Sequence, residues 1–282
     1  MPQRGVSVSG VCFSDADYAD DIATIEGSPG EIAETLERIE AASSELGLHI
    51  SWTKTKVQNI GAGPPAPDLL VNGQVVEGVD KFVYLGSTIC STDGSRSEQL
   101  RRIGLAAANM NNLSGVWSQA RLSLSTKLRL YTTLIVPILL YASETWTINQ
   151  ADLDRLQAFH MRCQRRILGV RWFDRVKNVT ISNRTKLPPI GDMITSRRHS
   201  LFGHVVRMDP SSPANQALML WRDISMDRRL PADWKRPRGR PRSTWVGHIK
   251  KDGGVPLSTA WTRALDRGLW RARRDGYDGS AG

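Results

Sequence analysis

The spacing of the hydrophobic residues becomes predominantly helical from about residue 97 of this 282-residue chain. Before that point most apolar residues form short runs between turn signals, as in LLVNGQVVE, whose central Asn72-Gly73 is the strongest short-range signal for a β-hairpin. After it they recur every three or four residues, as amphipathic helices require. The sequence therefore predicts an α+β protein in which small antiparallel strands and a packed helix precede a mainly helical part.

Local signals divide the first part into elements. Residues 5–13 predict one strand and residues 22–25 a second, with the aspartates between them at a hairpin tip. Ser28 predicts the start of a helix, as the first residue of an S-x-x-E capping box, and Gly47 predicts its end. Further short strands are expected at LHISW (48–52), KVQNI (56–60) and KFVYLGSTI (81–89).

The second part predicts long helices. The clearest has Asn149 as its N-cap and Gly169 just after its end. The helical segments are expected at residues 97–117, 125–142, 149–169 and 190–208.

Charge divides the chain unevenly. Residues 1–150 contain 11 Lys+Arg and 16 Asp+Glu, a net charge of −5, whereas residues 151–282 contain 27 and 12, a net charge of +15. A strongly basic half indicates a polyanionic partner, of which nucleic acid is the usual one. A soluble, solvated surface is the alternative interpretation.

The segment DRRLPADWKRPRGRPR (227–242) is too rich in Pro and Arg to pack and is expected to be extended. It contains the R-G-R-P core of an AT-hook, in which an extended Arg-Gly-Arg enters the minor groove of A·T-rich DNA. General contact with phosphates and a solvated loop are the other interpretations. The candidate nucleic-acid-binding residues here are Lys235, Arg236, Arg238, Arg240 and Arg242.

Cysteine usage and hydropathy indicate the compartment. Cys12, Cys90 and Cys163 are far apart and odd in number, which argues against a disulfide framework and suits a reducing environment. The N-terminus has no long apolar core of a secretory signal, and the best membrane candidate, LRLYTTLIVPILLYA, is short and interrupted by Pro137. An intracellular protein, nuclear or cytoplasmic, without a membrane partner is expected.

The stretch FSDADYADDIATI (13–25) concentrates four aspartates in seven positions, with Asp20 and Asp21 adjacent. Neighbouring carboxylates repel each other unless a cation lies between or beside them. Mg²⁺, or Mn²⁺ in its place, suits them because it prefers oxygen ligands and substrate phosphates. The alternative is the ordinary enrichment of Asp in turns.

The Tyr18-Ala19-Asp20-Asp21 sequence resembles the Y-A-D-D catalytic turn of reverse transcriptases. Further segments resemble, in order, those of the endonuclease–reverse transcriptases of LINE-like, non-LTR retrotransposons, over residues 13 to about 272. Ala142 departs from the pattern, since a glycine is expected there. The matching segments are GLHISWTKTK (47–56), FVYLGSTI (82–89), LLYASETW (139–146), RCQRRILG (162–169), LFGHVVRM (201–208) and GRPRSTW (239–245).

The resemblance implies an RNA-directed DNA polymerase that works by two-metal phosphoryl transfer, with RNA template, DNA primer or duplex DNA as partners. It implies a partial palm at residues 1–92, a helical thumb at 93–170 and a basic C-terminal region at 171–282. By the same resemblance Asp20 is the main metal ligand and Asp21 a supporting one. Lys54 would protonate the pyrophosphate leaving group, with a solvated lysine at a strand end as the alternative. Tyr84, Leu85 and Gly86 would position the primer backbone, with ordinary strand and turn residues as the alternative.

Two-metal polymerases need one more carboxylate, on a strand that pairs with the catalytic hairpin. In reverse transcriptases it lies well upstream, whereas twelve residues precede Phe13 here, and Asp15 and Asp17 lie on the same hairpin as Asp20. A polymerase fragment that is inactive alone is therefore expected. The alternatives are a non-catalytic nucleic-acid-binding protein that uses the basic half, and the reading frame of a decayed element.

Histidines and one cysteine allow a zinc interpretation: His160-x-x-Cys163, then His199 and His204. A structural zinc site normally shows tight pairs of ligands, whereas this set has one cysteine. His160 and Cys163 also fall on a face of a helix that is expected to be buried. Zinc is therefore not expected.

Overall fold

The computed structural model describes residues 5–8, 10–61, 63–91, 94–225 and 243–278. They divide into two compact units, an N-terminal unit up to residue 94 and a helical unit from residue 95 onward. The predicted extended segment at 227–242, with all five of its candidate cations, lies outside the described residues.

The N-terminal unit contains short strands and one helix, α1 (Pro29–Ser44). Strands β1 and β2, β3 and β4, and β8 and β9 form three antiparallel pairs, while β5, β7 and β6 form a three-stranded sheet in that order. The strands are β1 (Val6–Val8), β2 (Val11–Phe13), β3 (Asp15–Tyr18), β4 (Asp21–Thr24), β5 (Lys56–Val57), β6 (Leu69–Val71), β7 (Gln74–Gly78), β8 (Lys81–Tyr84) and β9 (Ser87–Cys90).

Two local signals in this unit are confirmed. Asn72 and Gly73 have φ of 50° and 76° between β6 and β7, the left-handed pair that a tight hairpin requires. The Ser28 side chain accepts a hydrogen bond from the Glu31 amide at the start of α1. The small core of the unit consists of Leu36, Val57, Val71 and Val76.

The strand predicted over residues 5–13 is wrong. Its two halves, β1 and β2, fold back on each other with Val6 opposite Phe13, and Gly10 has φ 84° where the chain reverses. A strand at 48–52 is also wrong, because the Ile50 amide donates to the Glu40 carboxylate at 2.7 Å instead of to a strand. Residues 81–89, predicted as one strand, form the β8–β9 hairpin, and in KVQNI only Lys56 and Val57 are in a strand.

The second unit is helical, as predicted. Together with the strands and helix of the N-terminal unit, it confirms the predicted α+β class. Its longest helix begins at the predicted Asn149 cap and ends at Gly169, which has φ 69°. The helices are α2 (Arg96–Asn112), α3 (Ser114–Ser118), α4 (Leu124–Leu130), α5 (Val136–Leu139), α6 (Gln150–Leu168), α7 (Asn178–Thr185), α8 (Ile190–Val206), α9 (Pro213–Ser225), α10 (Trp245–Gly253), α11 (Leu257–Leu265) and α12 (Arg267–Asp278).

Two predicted helices are interrupted. The helix expected over 97–117 breaks at Leu113, between α2 and α3. The helix expected over 125–142 widens into a π-helix at Tyr131–Ile135 between α4 and α5. Pro137 lies two residues further on, in the first turn of α5. Because proline has no N–H to donate and its ring crowds the preceding turn, it disfavours one continuous α-helix over this segment.

Two apolar clusters form the core of the helical unit. The first joins α2 to α6 and the start of α8, around buried Tyr131, Ile135 and Leu156. The second joins the end of α8 to α9–α12 around buried Phe202 and Trp261. Helix α8 therefore belongs to both clusters and connects the earlier helices to the C-terminal ones.

Candidate catalytic hairpin and nucleic-acid interface

The aspartates of the Y-A-D-D stretch lie at the end of the β3–β4 hairpin. Tyr18 pairs with Asp21, so Ala19 and Asp20 alone form the loop, and Ala19 has φ 57°. Asp20 and Asp21 are both exposed. The hairpin predicted from the sequence is present, but its first strand is Asp15–Tyr18 and not residues 5–13.

The donor set suits a hard divalent cation in part. Two exposed carboxylates at one turn supply oxygen ligands of the kind that Mg²⁺ prefers, and Mg²⁺ usually keeps several waters or substrate phosphates. In the part of the chain that the structure describes, no group of three or more His, Cys, Asp or Glu side chains could hold a metal ion. Two carboxylates alone would leave most positions around such an ion to water, substrate phosphates or another carboxylate.

The β8–β9 hairpin contacts this hairpin through Tyr84. The Tyr84 hydroxyl donates to the Ala16 carbonyl at 2.7 Å and lies 3.5 Å from the Asp21 carbonyl. Burial raises the pKa of Tyr84, and the charges of Asp21 and Asp17 raise it further. Tyr84 therefore remains a neutral hydrogen-bond donor at physiological pH and joins the predicted primer-grip hairpin to the predicted catalytic one.

Leu85 and Gly86 form the turn that follows Tyr84. Their φ angles are 48° and 74°, both left-handed, which brings β9 back along β8 with Tyr84 opposite Ser87. Leu85 is 40% exposed. The turn residues that resemble a primer grip are thus accessible to a ligand.

Lys54 lies elsewhere in the N-terminal unit, in a turn where its amide donates to the Ser51 carbonyl at 2.9 Å. Its side chain is exposed. Among the described residues no hydrogen bond or ion pair joins it to Asp20 or Asp21. The role implied for Lys54 stays a prediction.

The three histidines of the zinc interpretation have different surroundings in the structure. His160 and Cys163 are buried, as predicted, and His160 Nδ1 lies 2.7 Å from the Tyr131 hydroxyl. His199 instead stacks on Trp270 with 5.4 Å between ring centroids, and His204 is exposed.

A basic and aromatic surface in the helical unit was not identified from the sequence. Trp172 and Phe173 are 88% and 53% exposed in a short 3₁₀ turn, Trp172–Asp174, between α6 and α7. Six cations surround them in the sequence. The signal was the string RCQRRILGVRWFDRVK (162–177), which has two adjacent aromatics among six cations. We call the side chains Arg162, Arg165, Arg166, Arg171, Trp172, Phe173, Arg175 and Lys177 the Arg/Trp surface.

None of the helices that the structure describes is both long and apolar enough to span a membrane.

Comparisons with known proteins identify relatives from mobile elements. An uncharacterized protein of Caenorhabditis elegans, described as transposon-derived, is 25% identical over 280 residues, which cover 94% of this chain and 96% of that protein. The RNA-directed DNA polymerases from mobile element jockey are 26% identical over 199 residues in Drosophila funebris and 25% over 191 residues in Drosophila melanogaster.

Each jockey match covers 64% of this chain but 20% of the polymerase, so the chain spans about a fifth of those relatives. No family model matches the chain. No solved structure matches it. The relatives support a retrotransposon origin for this chain, and their names associate the aligned part with an RNA-directed DNA polymerase.

Proposed function

We propose that this chain is part of the RNA-directed DNA polymerase of a non-LTR retrotransposon and carries one wall of its catalytic site. The observation that supports this most is the turn of the β3–β4 hairpin, where the consecutive residues Asp20 and Asp21 are both exposed and Tyr84 donates a hydrogen bond to Ala16 of the same hairpin. The similarity of part of the chain to jockey RNA-directed DNA polymerases also supports the proposal. Residues 1–92 then correspond to a partial palm, 93–170 to a thumb and 171–282 to a basic C-terminal region.

Each residue has a distinct role in this proposal. Asp20 and Asp21 would hold Mg²⁺ or Mn²⁺ through their carboxylate oxygens, and a pair of such ions would supply activation of the primer 3′-hydroxyl and stabilisation of the departing oxygen. Tyr84 holds the catalytic turn, while Leu85 and Gly86 contact the primer backbone. Lys54 donates a proton to pyrophosphate, as an ammonium beside phosphates can.

Binding of Mn²⁺ tests the proposed ligands in this chain directly. Mn²⁺ broadens NMR signals of nearby nuclei, so titration should broaden the backbone amides of Ala19–Ile22 first. Asp20→Asn should abolish this selective broadening. Asp15→Asn is the matched control, because it removes the same charge from the far end of the same hairpin and should leave the broadening at the turn. Equal broadening in the wild type and Asp20→Asn would contradict the metal site.

We further propose that these 282 residues alone do not incorporate nucleotides. Two-metal transfer needs a carboxylate from a neighbouring strand, and the described residues provide no third ligand beside Asp20 and Asp21. The measurement is Mg²⁺- or Mn²⁺-dependent extension of oligo(dT) on poly(rA) by the purified chain. No extension is expected. If the wild-type chain extends the primer and Asp20→Ala does not, the proposed inactivity is wrong but the catalytic role of Asp20 stands.

A second candidate function is non-catalytic binding of nucleic acid by the basic part of the chain. The supporting observation is charge: residues 95–282 contain 33 Lys+Arg and 14 Asp+Glu, a net charge of +19. The segment with Lys235, Arg236, Arg238, Arg240 and Arg242 would add phosphate or minor-groove contacts. Replacing Arg238 and Arg240 by Ala should flatten the salt dependence of DNA binding, and an unchanged slope would exclude them.

A further inference from the structure

The Arg/Trp surface presents an aromatic face that the protein itself leaves in solvent. Trp172 is the most exposed of the large hydrophobic side chains that the structure describes, at 88%, and Phe173 is 53% exposed beside it. Their rings meet edge to face with 5.8 Å between centroids. Tryptophan normally gains from burial, so an exposed indole on an ordered turn indicates a surface for a ligand.

The electrostatics of the surface are strongly positive. Between residues 162 and 177 the chain has six cations and a single acid, Asp174. The Asp174 carboxylate accepts a hydrogen bond from the Arg171 amide at 2.7 Å and so serves to cap the 3₁₀ turn. Among the described residues none of the six cations forms an ion pair with a carboxylate. Their charge is therefore available to an anionic ligand.

Hydrogen bonds hold the surface in place before any ligand binds. Arg165 Nη2 donates to the Val176 carbonyl at 3.0 Å and to Asn178 Oδ1 at 2.6 Å, which joins the end of α6 to the start of α7. Arg166 Nη1 donates to Asn111 Oδ1 of α2 at 2.6 Å. Between these anchors the turn that carries Trp172 is short. A ligand would meet an ordered platform, which reduces the entropic cost of binding.

The exposed, flat indole of Trp172, in a segment rich in guanidinium groups, fits an unpaired base with its flanking phosphates. Bases stack on aromatic side chains whatever their sequence, whereas in a duplex the faces of the bases are already occupied by their neighbours. The Arg171 guanidinium lies 5.7 Å from the Phe173 ring centroid, which places one of the cations beside the aromatic pair. A protein partner would need a wider apolar area and acidic residues to match these cations.

We propose that the Arg/Trp surface binds single-stranded RNA, with a base stacked on Trp172 and neighbouring phosphates on Arg171 and Arg175. Stacking and phosphate contacts do not distinguish ribose from deoxyribose. The choice of RNA rests on the proposed function, which gives the chain an RNA template. The surface lies in the helical unit, outside the residues proposed for catalysis, and adds an RNA contact that the reaction itself does not require.

The experiment measures the affinity of the full chain for a fluorescent oligo(rU) of 20 nucleotides by anisotropy. Trp172→Ala should weaken binding about tenfold, as expected for the loss of one base–aromatic stack. Trp172→Phe should retain most of the affinity. Val179→Ala is the matched control, because Val179 is an exposed apolar residue on the adjacent α7, at 68% exposure, and its removal should have no effect.

The salt dependence of binding tests the phosphate contacts. The double variant Arg171→Ala, Arg175→Ala should reduce the slope of log Kd against log salt by roughly 1.4, the value for two lost contacts to a single strand. Arg263→Ala, an exposed arginine on α11, should leave the slope unchanged. An unchanged slope in the double variant would overturn the phosphate contacts.

The possible outcomes separate this inference from the proposed function. If the wild type and Trp172→Ala bind oligo(rU) equally well, the Arg/Trp surface is not the RNA-binding site, while nucleic-acid binding by the chain stands. If the wild type binds neither RNA nor DNA, both are wrong. If Trp172 matters only for oligo(dT), or equally for duplex RNA, the assignment to single-stranded RNA is overturned. Weaker binding of single-stranded RNA by Trp172→Ala, without weaker binding of duplex RNA, supports it.

Discussion

At the scale of single residues, burial determines the chemistry of the histidine and cysteine on α6. His160 stacks on Tyr131 with 5.7 Å between ring centroids, and burial lowers the pKa of His160 to about 4. Burial also raises the pKa of Cys163 to about 12, so the thiol stays protonated. Both side chains are neutral at physiological pH and act as part of the core. Their place on α6, which suggested a zinc site, is accounted for by their packing in the core.

This burial predicts how stability depends on pH. Between the native pKa of about 4 and the unfolded value of 6.5, the unfolded chain binds a proton that native His160 does not. The free energy of unfolding of the helical unit should therefore decrease as pH falls from 6.5 toward 4, by roughly 2 kcal/mol at pH 5. Urea unfolding at pH 7 and pH 5 measures this change.

His160→Gln provides the control for that prediction. The variant should be less stable than the wild type at pH 7, because it loses the contact with Tyr131, but its stability should decrease less between pH 7 and pH 5. Tyr131 and Cys163 stay protonated over this range and contribute nothing to the difference. Parallel pH profiles for the two proteins would show that His160 is not the responsible group.

At the scale of elements, a glycine determines how closely α12 approaches α8. A Cβ atom on Gly203 would lie 2.4 Å from Trp270 Cδ1 and 2.5 Å from Nε1. Trp270 is buried, and its indole N–H donates to the His199 carbonyl at 2.7 Å. The indole thus lies across Gly203 and cannot move without losing that hydrogen bond. This contact requires a residue without a side chain.

Two glycines of the same helix give a matched pair of variants. Gly203→Ala should destabilise the helical unit by about 1–3 kcal/mol, the usual cost of overpacking. In Gly191→Ala the new Cβ meets only Leu153 methyl groups at 3.6 and 3.7 Å, an ordinary contact. That variant should be neutral or more stable by less than about 1 kcal/mol, since alanine favours helix. Thermal unfolding of both variants checks this. Equal stabilities would show that Trp270 adjusts freely.

The elements that sequence reasoning predicted well depend on their own residues. The Asn72-Gly73 hairpin, the Ser28 cap and the Gly169 helix end each follow from backbone preferences and hydrogen bonds within a few positions. The wrong predictions depend on more distant partners. Residues 48–52 do not form a strand, because the Ile50 amide donates to the Glu40 carboxylate of α1. Residues 5–13 have the alternation of a single strand, but the chain reverses at Gly10.

At the scale of the whole molecule, the two units differ in charge and in core. Residues 1–94 contain 5 Lys+Arg and 14 Asp+Glu, a net charge of −9, whereas residues 95–282 carry +19. The N-terminal unit buries four hydrophobic residues in its core cluster, whereas the two clusters of the helical unit bury sixteen and ten. The N-terminal unit therefore has much less apolar burial to stabilise it.

The difference in cores predicts that urea unfolds the chain in two steps, with the N-terminal unit first. Hydrogen exchange at increasing urea should expose amides of residues 5–91 before those of α2–α8. Val71→Ala should move only the first step. Ile135→Ala should move only the second, by about 2–5 kcal/mol, because it leaves a cavity in the larger core. A single step that both variants move would mean that the units unfold together.

The class of fold, the carboxylate turn and the basic second half could be inferred from the sequence, because spacing, turn chemistry and charge are properties of neighbouring residues. The structure was needed to show that Tyr84 reaches Ala16 across 68 positions, which links the two hairpins of the candidate site. It was also needed to show that Trp172 stays in solvent while Trp270 is buried. Both outcomes depend on which distant surfaces meet when the chain packs, and local patterns do not contain that information.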